Sequence, residues 1–314
     1  MNNNLKIHFL NTIWSDSIIL ESNNHFAFVD TASKFYFPMI KDYIKKLNIK
    51  KIDFILLTHF HSDHYGNLAE MLNDYKVDKL YLKHYSAKEV DSGGGKPTTE
   101  EYLNHEKEMF NEIVESAKNN NVELIFLDEL EDKMGPYTID FESNLLKLYN
   151  LGNNLNDMYN DPTSPYFQTP SFSENVNSIF LYVEVNGKHV LLGSDLTDSD
   201  SKDVRSNRLS EVFIKKIYED EKIDYIDGFK SCHHGGGGSN RLDMCLLLKA
   251  KYVVITNTDN YLVNWPTLDN FKNANSDVEI FQTDYFQYVF SFNSDKIEIE
   301  KIPLTSIFID LHKK

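Results

Sequence analysis

Thr58-His59-Phe60-His61-Ser62-Asp63-His64 is the stretch on which the reading of this 314-residue chain turns. Three imidazoles and a carboxylate fall within six residues, directly after Ile52–Leu57. That preceding run is nearly all apolar, which predicts a strand buried on both faces. His59 and His61 stand two apart in extended chain, so both side chains can point the same way. Asp63 and His64 follow where the chain turns into a helix predicted over Tyr65–Leu72, and Gly66 would let the backbone approach closely. Imidazole nitrogen and carboxylate oxygen together suit a borderline metal. Asp63 and His64 diverge from the first pair, which favours two ions over one. The bland alternative is an exposed polar loop with incidental histidines.

Outward from this stretch, short runs rich in β-branched and aromatic residues recur at Leu5–Leu10, Ser17–Glu21 and His25–Asp30. Asn- and Ser-rich turns separate them, which predicts an antiparallel meander. Met39, Ile40, Tyr43, Ile44 and Leu47 mark one face of a helix over Tyr36–Leu47. Beyond the motif, a strand is expected at Val77–Leu82, and a flexible loop at Ser92–Pro97. A polar helix follows over Thr98–Lys118, capped by Thr98 or Thr99. Val122–Leu127, Tyr137–Phe141 and Leu145–Leu151 read as strands. Gly152–Asn175 reads as a long irregular segment, and Tyr159, Tyr166, Phe167 or Phe172 within it are candidates to line a substrate pocket.

The second half repeats the plan. Ser178–Val185 and Lys188–Leu192 flank Asn186-Gly187, the sequence of a type I′ hairpin turn. A helix near Ser210–Tyr218, a strand at Tyr225–Phe229, a helix near Arg241–Lys249 and a strand at Tyr252–Ile255 follow, and the pair Tyr285–Phe292 and Lys296–Ile302 closes the sheet. Strands in both halves with helices between them predict two sheets packed together and covered outside by helices. No linker divides the chain. We expect one domain over 1–314, made of two similar halves at about 1–150 and 177–314 with the irregular loop at 152–175.

Two later segments carry chemistry that can complete the motif. Leu191-Leu192-Gly193-Ser194-Asp195 puts a carboxylate at the end of an apolar strand, where it can bridge two cations or simply cap the next loop. Ser231-Cys232-His233-His234-Gly235 places paired histidines before further glycines, either to reach a metal or phosphoryl oxygen or as solvated loop residues. Cys232 is a soft ligand or a small packed residue. The glycines at 93–95 and 235–238 lack the lysine and Ser/Thr pattern of a phosphate loop.

Composition narrows the function. A hydrophobic share of 41% with 25% charged residues is ordinary for a folded globular chain. The formal net charge of -16 repels polyanions, which demotes nucleic acid as a partner. Two cysteines cannot form a disulfide framework. No apolar run is long enough for a membrane span, and the N-terminus lacks the plan of a signal peptide. A cytoplasmic protein without a membrane partner is expected; oligomeric state is open.

His59-x-His61-x-Asp63-His64, Asp195 and His233-His234-Gly235 resemble the metallo-β-lactamase superfamily in order and rough spacing, over about Leu5 to Thr256. The branch this chain looks most similar to holds the metallohydrolase domain of competence-type DNA-uptake proteins and the phosphorylcholine esterases of cell-wall teichoic acid. Ile7–Leu10, Asp16–Ser22, Phe28–Thr31 and Asn177–Ile179 support it. The resemblance implies a four-layer αββα sandwich, two mixed β-sheets flanked by helices. It implies two divalent metal ions, zinc favoured, with manganese or iron as alternatives. His59, His61 and Asp195 would hold one; Asp63, His64, Asp195 and His234 the other, with His233 facing the substrate, although the last two could exchange roles. Asp63 and His233 are then the groups expected at the reacting centre, while Asp30 and Thr58 would orient the ligands from behind. Many members supply a further histidine between the first motif and the bridging aspartate. His84, His105 and His189 fall in that interval, and each has the context of a structural or exposed residue. The implied function is hydrolysis of a small phosphodiester or related phosphoester by a water activated between two metals. Alternatives are carboxylic ester, thioester, lactone or lactam hydrolysis, a nuclease, and a binding module that keeps the fold without turnover.

Overall fold

The structure is a computed structural model that describes residues 4–85, 99–153, 174–196, 209–236, 238–257, 266–283, 286–293 and 296–303. The expected loop at 92–97 and the four pocket candidates Tyr159, Tyr166, Phe167 and Phe172 lie outside the described residues, as does most of the segment 152–175.

The three N-terminal apolar runs form β1 (Lys6–Phe9), β2 (Ile18–Ser22) and β3 (His25–Val29), paired antiparallel as a meander. Helix α1 (Phe37–Lys46) then carries the chain across to β4 (Lys51–Leu56), which lies parallel to β3. The helix expected over 65–72 is instead two: α2 (Ser62–Tyr65) and α3 (Leu68–Asp74). Gly66 and Asn67 break it. A Cβ on Gly66 would lie 2.5–2.7 Å from backbone atoms of Ser62, Ala32 and Lys34. Asn67 Nδ2 donates to the carbonyls of Thr31, Ala32 and Ser33, pinning the break onto the loop after β3. Strand β5 (Lys76–Leu82), helix α4 (Glu100–Asn119) and strand β6 (Glu123–Phe126) complete this run, and Thr99 caps α4 by accepting from Tyr102 N.

The chain then changes sheet. β7 (Tyr137–Phe141), β8 (Asn144–Tyr149), β9 (Phe180–Val185) and β10 (Lys188–Leu192) run antiparallel. Asn186 and Gly187 both have positive φ, at 52° and 74°, as the type I′ turn between β9 and β10 requires. Helix α5 (Leu209–Glu221) leads to β11 (Gly228–Lys230), shorter and later than the expected 225–229, because Tyr225 is left exposed at the surface. Helix α6 (Leu242–Leu248), β12 (Tyr252–Ile255), helix α7 (Pro266–Ala274) and β13 (Glu279–Gln282) follow; α7 and β13 carry no period long enough to have been legible. The closing pair, β14 (Phe286–Phe292) and β15 (Ile297–Pro303), returns to the first sheet beside β1.

Two mixed sheets result, in strand order β15-β14-β1-β2-β3-β4-β5-β6 and β13-β12-β11-β10-β9-β8-β7. Alternation along each strand sorts the side chains into layers. Ile7, Phe9, Leu20, Leu56, Leu148, Leu181, Val183, Val190 and Leu192 meet between the sheets. Phe28, Ile55 and Leu80 face outward onto Met39, Ile40, Leu68, Met71 and Ile113. Phe180, Leu191, Phe229 and Val253 face outward onto Phe213, Ile214, Met244, Leu248 and Phe271. This is the αββα sandwich expected from the sequence. Each sheet is antiparallel on one side and parallel on the other, β3 to β6 and β10 to β13. Ligand sites in such sheets gather beyond the carboxyl ends of parallel strands, and every residue of the sequence motifs sits at one of those ends. No helix among the described residues is long and apolar enough to cross a membrane.

Candidate metal centre

Five parallel strands deliver the site. Asp30 ends β3, Thr58–His64 follow β4, Asp195 follows β10, His233 and His234 follow β11, and Thr256 ends β12. The backbone departs from ordinary geometry there. Trp14, Asp30, Ala32, Ser194, His233 and His234 all have positive φ, between 45° and 59°. Such non-glycine conformations cost of order 1–3 kcal/mol each and persist where surrounding contacts enforce them. Here Thr31 N bonds to His64 O, His233 N to Ser194 O and Trp14 N to Thr256 O, tying the loops to one another.

Asp63, His64, Asp195 and His234 each offer one ligand atom, and these four atoms lie within 4.8 Å of one another. His234 Nε2 is 3.2 Å from both Asp63 Oδ2 and Asp195 Oδ2. His64 Nε2 is 3.3 Å from Asp195 Oδ2 and 3.8 Å from Asp63 Oδ2. Ligand atoms bound tetrahedrally to one zinc lie roughly 3.3–3.6 Å apart, given bonds of about 2.0–2.2 Å. The spacing therefore fits a cation. His64 Nε2 is also buried and makes no hydrogen bond among the described residues. His59 Nε2 and His61 Nδ1 converge at 3.1 Å, and the His59 ring lies 4.1 Å from that of His64.

Behind these groups, Asp30 accepts from Thr58 N and Thr58 Oγ1, each at 2.8 Å, and its Oδ2 stands 2.7 Å from His64 Nδ1. Thr58 Oγ1 also accepts from Ser194 Oγ and lies 3.2 Å from His59 Nδ1. Around His234 the corresponding places are taken by Thr256 Oγ1, 2.9 Å from Nδ1, and Asp16 Oδ1 at 3.3 Å. Asp16, Lys230, Ser194 and Thr256 were not among the expected site residues. The one signal for Lys230 is a lysine ending an otherwise apolar strand. Of the pair, His234 is fully buried and within reach of both carboxylates. The His233 side chain is 33% exposed, with Nε2 3.8 Å from Asp195 Oδ2. Cys232 is packed: a Cβ on Gly193 would meet its Sγ at 2.7 Å. The three histidines of the middle interval lie elsewhere. His84 stacks on Phe126 and pairs with Asp128, His189 meets Tyr182 Oη at 2.8 Å, and His105 is exposed on α4.

Electrostatics divides these groups. Burial disfavours the charged forms of His64 and His234. Even so, the carboxylates around them hold both well above the ordinary imidazole range: Asp195, Asp30 and Asp63 for His64, Asp195 and Asp16 for His234. Burial prevails at His59 and His233, which are pushed down. Asp195 and Asp63 are lowered despite their burial because imidazoles face them, whereas burial raises Asp30.

Residues 15–135 match the family model of the metallo-beta-lactamase superfamily. Its sequence matches no curated protein. The fold is similar to that of the metallo-beta-lactamase fold protein YhfI from Bacillus subtilis. That likeness has a TM-score of 0.52 at 9% identity and covers 92% of this chain and 100% of the other. Igni18, a metallo hydrolase from Ignicoccus hospitalis, aligns over 92% of this chain and 100% of its own at 14% identity, with a TM-score of 0.45. At these identities the first likeness speaks to the fold alone.

Proposed function

We propose that the protein is a metal-dependent hydrolase that uses water to cleave a small phosphodiester or related phosphoester at a centre of two divalent cations, zinc favoured. His59, His61 and Asp195 would hold one cation, and Asp63, His64, Asp195 and His234 the other. The observation that carries this reading is the convergence of four ligand atoms from distant parts of the chain within 4.8 Å. When bound, such cations make water acidic enough to attack near neutral pH and offset charge on both attacking and leaving oxygens, which suits phosphoesters.

The protein's own groups supply the rest. Asp195 presents Oδ2 towards His64 and His234, which would hold the second cation, and its charge also acts on His59 of the first, so it would be common to both. Asp63, ionised and with its side chain 32% exposed, would take the proton that attacking water releases. His233, held neutral by burial, can donate from Nε2 to the departing oxygen. The resemblance of the motif to the competence-type and teichoic acid phosphorylcholine esterase branch supports a phosphoester, as does the lack of a middle histidine in the described cluster.

Metal analysis of the purified protein, with turnover of bis(p-nitrophenyl) phosphate under zinc, manganese or chelator, tests this. Bound divalent metal with chelator-sensitive hydrolysis is expected. Neither metal nor hydrolysis would leave a binding module. Cleavage of p-nitrophenyl acetate or a thioester without phosphodiester turnover would replace the substrate class. Salt-sensitive cleavage of DNA would make it a nuclease.

A further inference from the structure

Lys230 is 1% exposed, a lysine enclosed at the end of β11. Its Nζ pairs with Asp16 Oδ2, donates to Ser194 O at 3.1 Å and stands 3.7 Å from Asp195 Oδ1. Asp16 Oδ1 in turn accepts from Thr256 Oγ1 at 2.7 Å and lies 3.3 Å from His234 Nδ1. His234 Nε2 closes the circuit at 3.2 Å from Asp195 Oδ2. The four side chains thus form a ring, Lys230–Asp16–His234–Asp195, in which Asp16, His234 and Asp195 each face their two neighbours through different atoms and Lys230 faces both of its own through Nζ.

We propose that Lys230 is a positioning residue: through this ring its ammonium fixes both ligands that the second sheet contributes, Asp195 directly and His234 by way of Asp16. The inference rests on the metal centre proposed above. Lys230 faces Oδ1 of Asp195, which turns Oδ2 towards His64 and His234. Asp16 sits behind Nδ1 of His234, which turns Nε2 into the cluster and keeps the proton on the far nitrogen. One buried cation thereby orders two ligands whose positions no local sequence signal would fix. The bond to Ser194 O also anchors the left-handed turn that carries Asp195. Lys230 itself meets no substrate; it acts through the groups it holds.

Removing Lys230 alone would take the ammonium from a buried Asp16 and destabilise the region for trivial reasons. The informative variant is therefore Asp16→Asn/Lys230→Met, which deletes both charges together. We expect this variant to fold. It should bind zinc at the Asp63, His64, Asp195 and His234 position about 10- to 100-fold more weakly than wild type, the usual cost of losing an outer partner. Competition with a chromophoric chelator and metal stoichiometry read that change. Imidazole nitrogen resonances of the metal-free protein, taken at alkaline pH where both rings have lost the second proton, provide the second measurement: His234 should lose its single tautomer while His64, held by Asp30, keeps its own. Wild-type zinc affinity in the double variant, or unaltered His234 signals, would overturn the ring. If wild-type protein binds no zinc, the proposed metal centre fails separately, and the His234 signals alone decide for or against the ring.

Discussion

The two sides of the site solve one problem differently. On the first-sheet side His59, His61, Asp63 and His64 come from a single turn after β4. Their support, Asp30 and Thr58, comes from that turn and the neighbouring parallel strand. On the second-sheet side Asp195 and His234 come from separate strands. Their support is Lys230, which ends the strand that carries His234, and Asp16 and Thr256 from two more places in the chain. Asp30 makes its contacts with neutral or protonatable partners, and burial raises it; Asp16, equally buried, is held far below the carboxylate range chiefly by Lys230. A compact motif positions its ligands by local geometry, whereas a dispersed one needs a fixed internal charge.

The largest expected effect comes from the residue common to both sides. Asp195→Ala should release both proposed cations and reduce hydrolysis by more than about 100-fold, beyond what losing an outer partner costs. His61→Ala should release one and leave the His234 side loaded. Metal content per folded chain, with folding checked by circular dichroism, separates the cases. Equal losses in the two variants would mean that the sides are not independent.

A smaller loss, about 10- to 100-fold in metal affinity, is expected for Asp30→Asn. The carboxylate accepts from Thr58 N at Oδ1 and faces Thr58 Oγ1 and His64 Nδ1 with Oδ2; an amide, with one acceptor oxygen, cannot serve both sides. His64 is then free to place its proton on Nε2, where it blocks ligation. Chelator competition reads the change, and wild-type affinity in this variant would remove Asp30 from the support of His64.

Why one side was readable in sequence and the other only partly follows from the same contrast. His59 to His64 announce themselves because ligation there needs little beyond a strand end and a turn. Asp195 and the His233-His234 pair were visible as polar residues after apolar strands. Asp16 lay in a stretch that resembled the superfamily, yet nothing local assigned it a contact 214 residues away with Lys230. Most strands and the two-sheet packing were legible from alternation and apolar runs. The break at Gly66-Asn67 was not, because it depends on carbonyls of the loop after β3. The return of β14 and β15 to the first sheet was hidden for the same reason: pairing between distant strands leaves no local period.

Protons provide the next contrast. Each side holds one imidazole kept neutral by burial, His59 or His233, and one held protonated by carboxylates, His64 or His234. Because the folded values of His64 and His234 are raised, their stabilisation of the metal-free fold is complete below about 6.5 and fades as pH rises through the raised values. Metal needs the opposite, deprotonated state. Binding at pH 7 should therefore release protons, and affinity should fall by up to about tenfold per proton for each unit of acidification. Calorimetry in two buffers of different ionisation enthalpy measures the release; buffer-independent heats would contradict the protonation of this pair.

The smallest effect tests how far the second-sheet side depends on its scaffold. Gly187 occupies the β9–β10 turn with φ at 74° and has no neighbour within 4 Å of an added Cβ, so Gly187→Ala costs backbone strain alone. That strain is of order 1 kcal/mol. The turn lies at the opposite end of β10 from Asp195, about 17 Å away at the usual rise of a five-residue strand. If the Lys230 ring sets Asp195, the variant should melt slightly earlier and bind metal as wild type does. Weaker metal binding would show that hairpin geometry, transmitted along β10, positions the carboxylate, and would shift the balance between scaffold and ring.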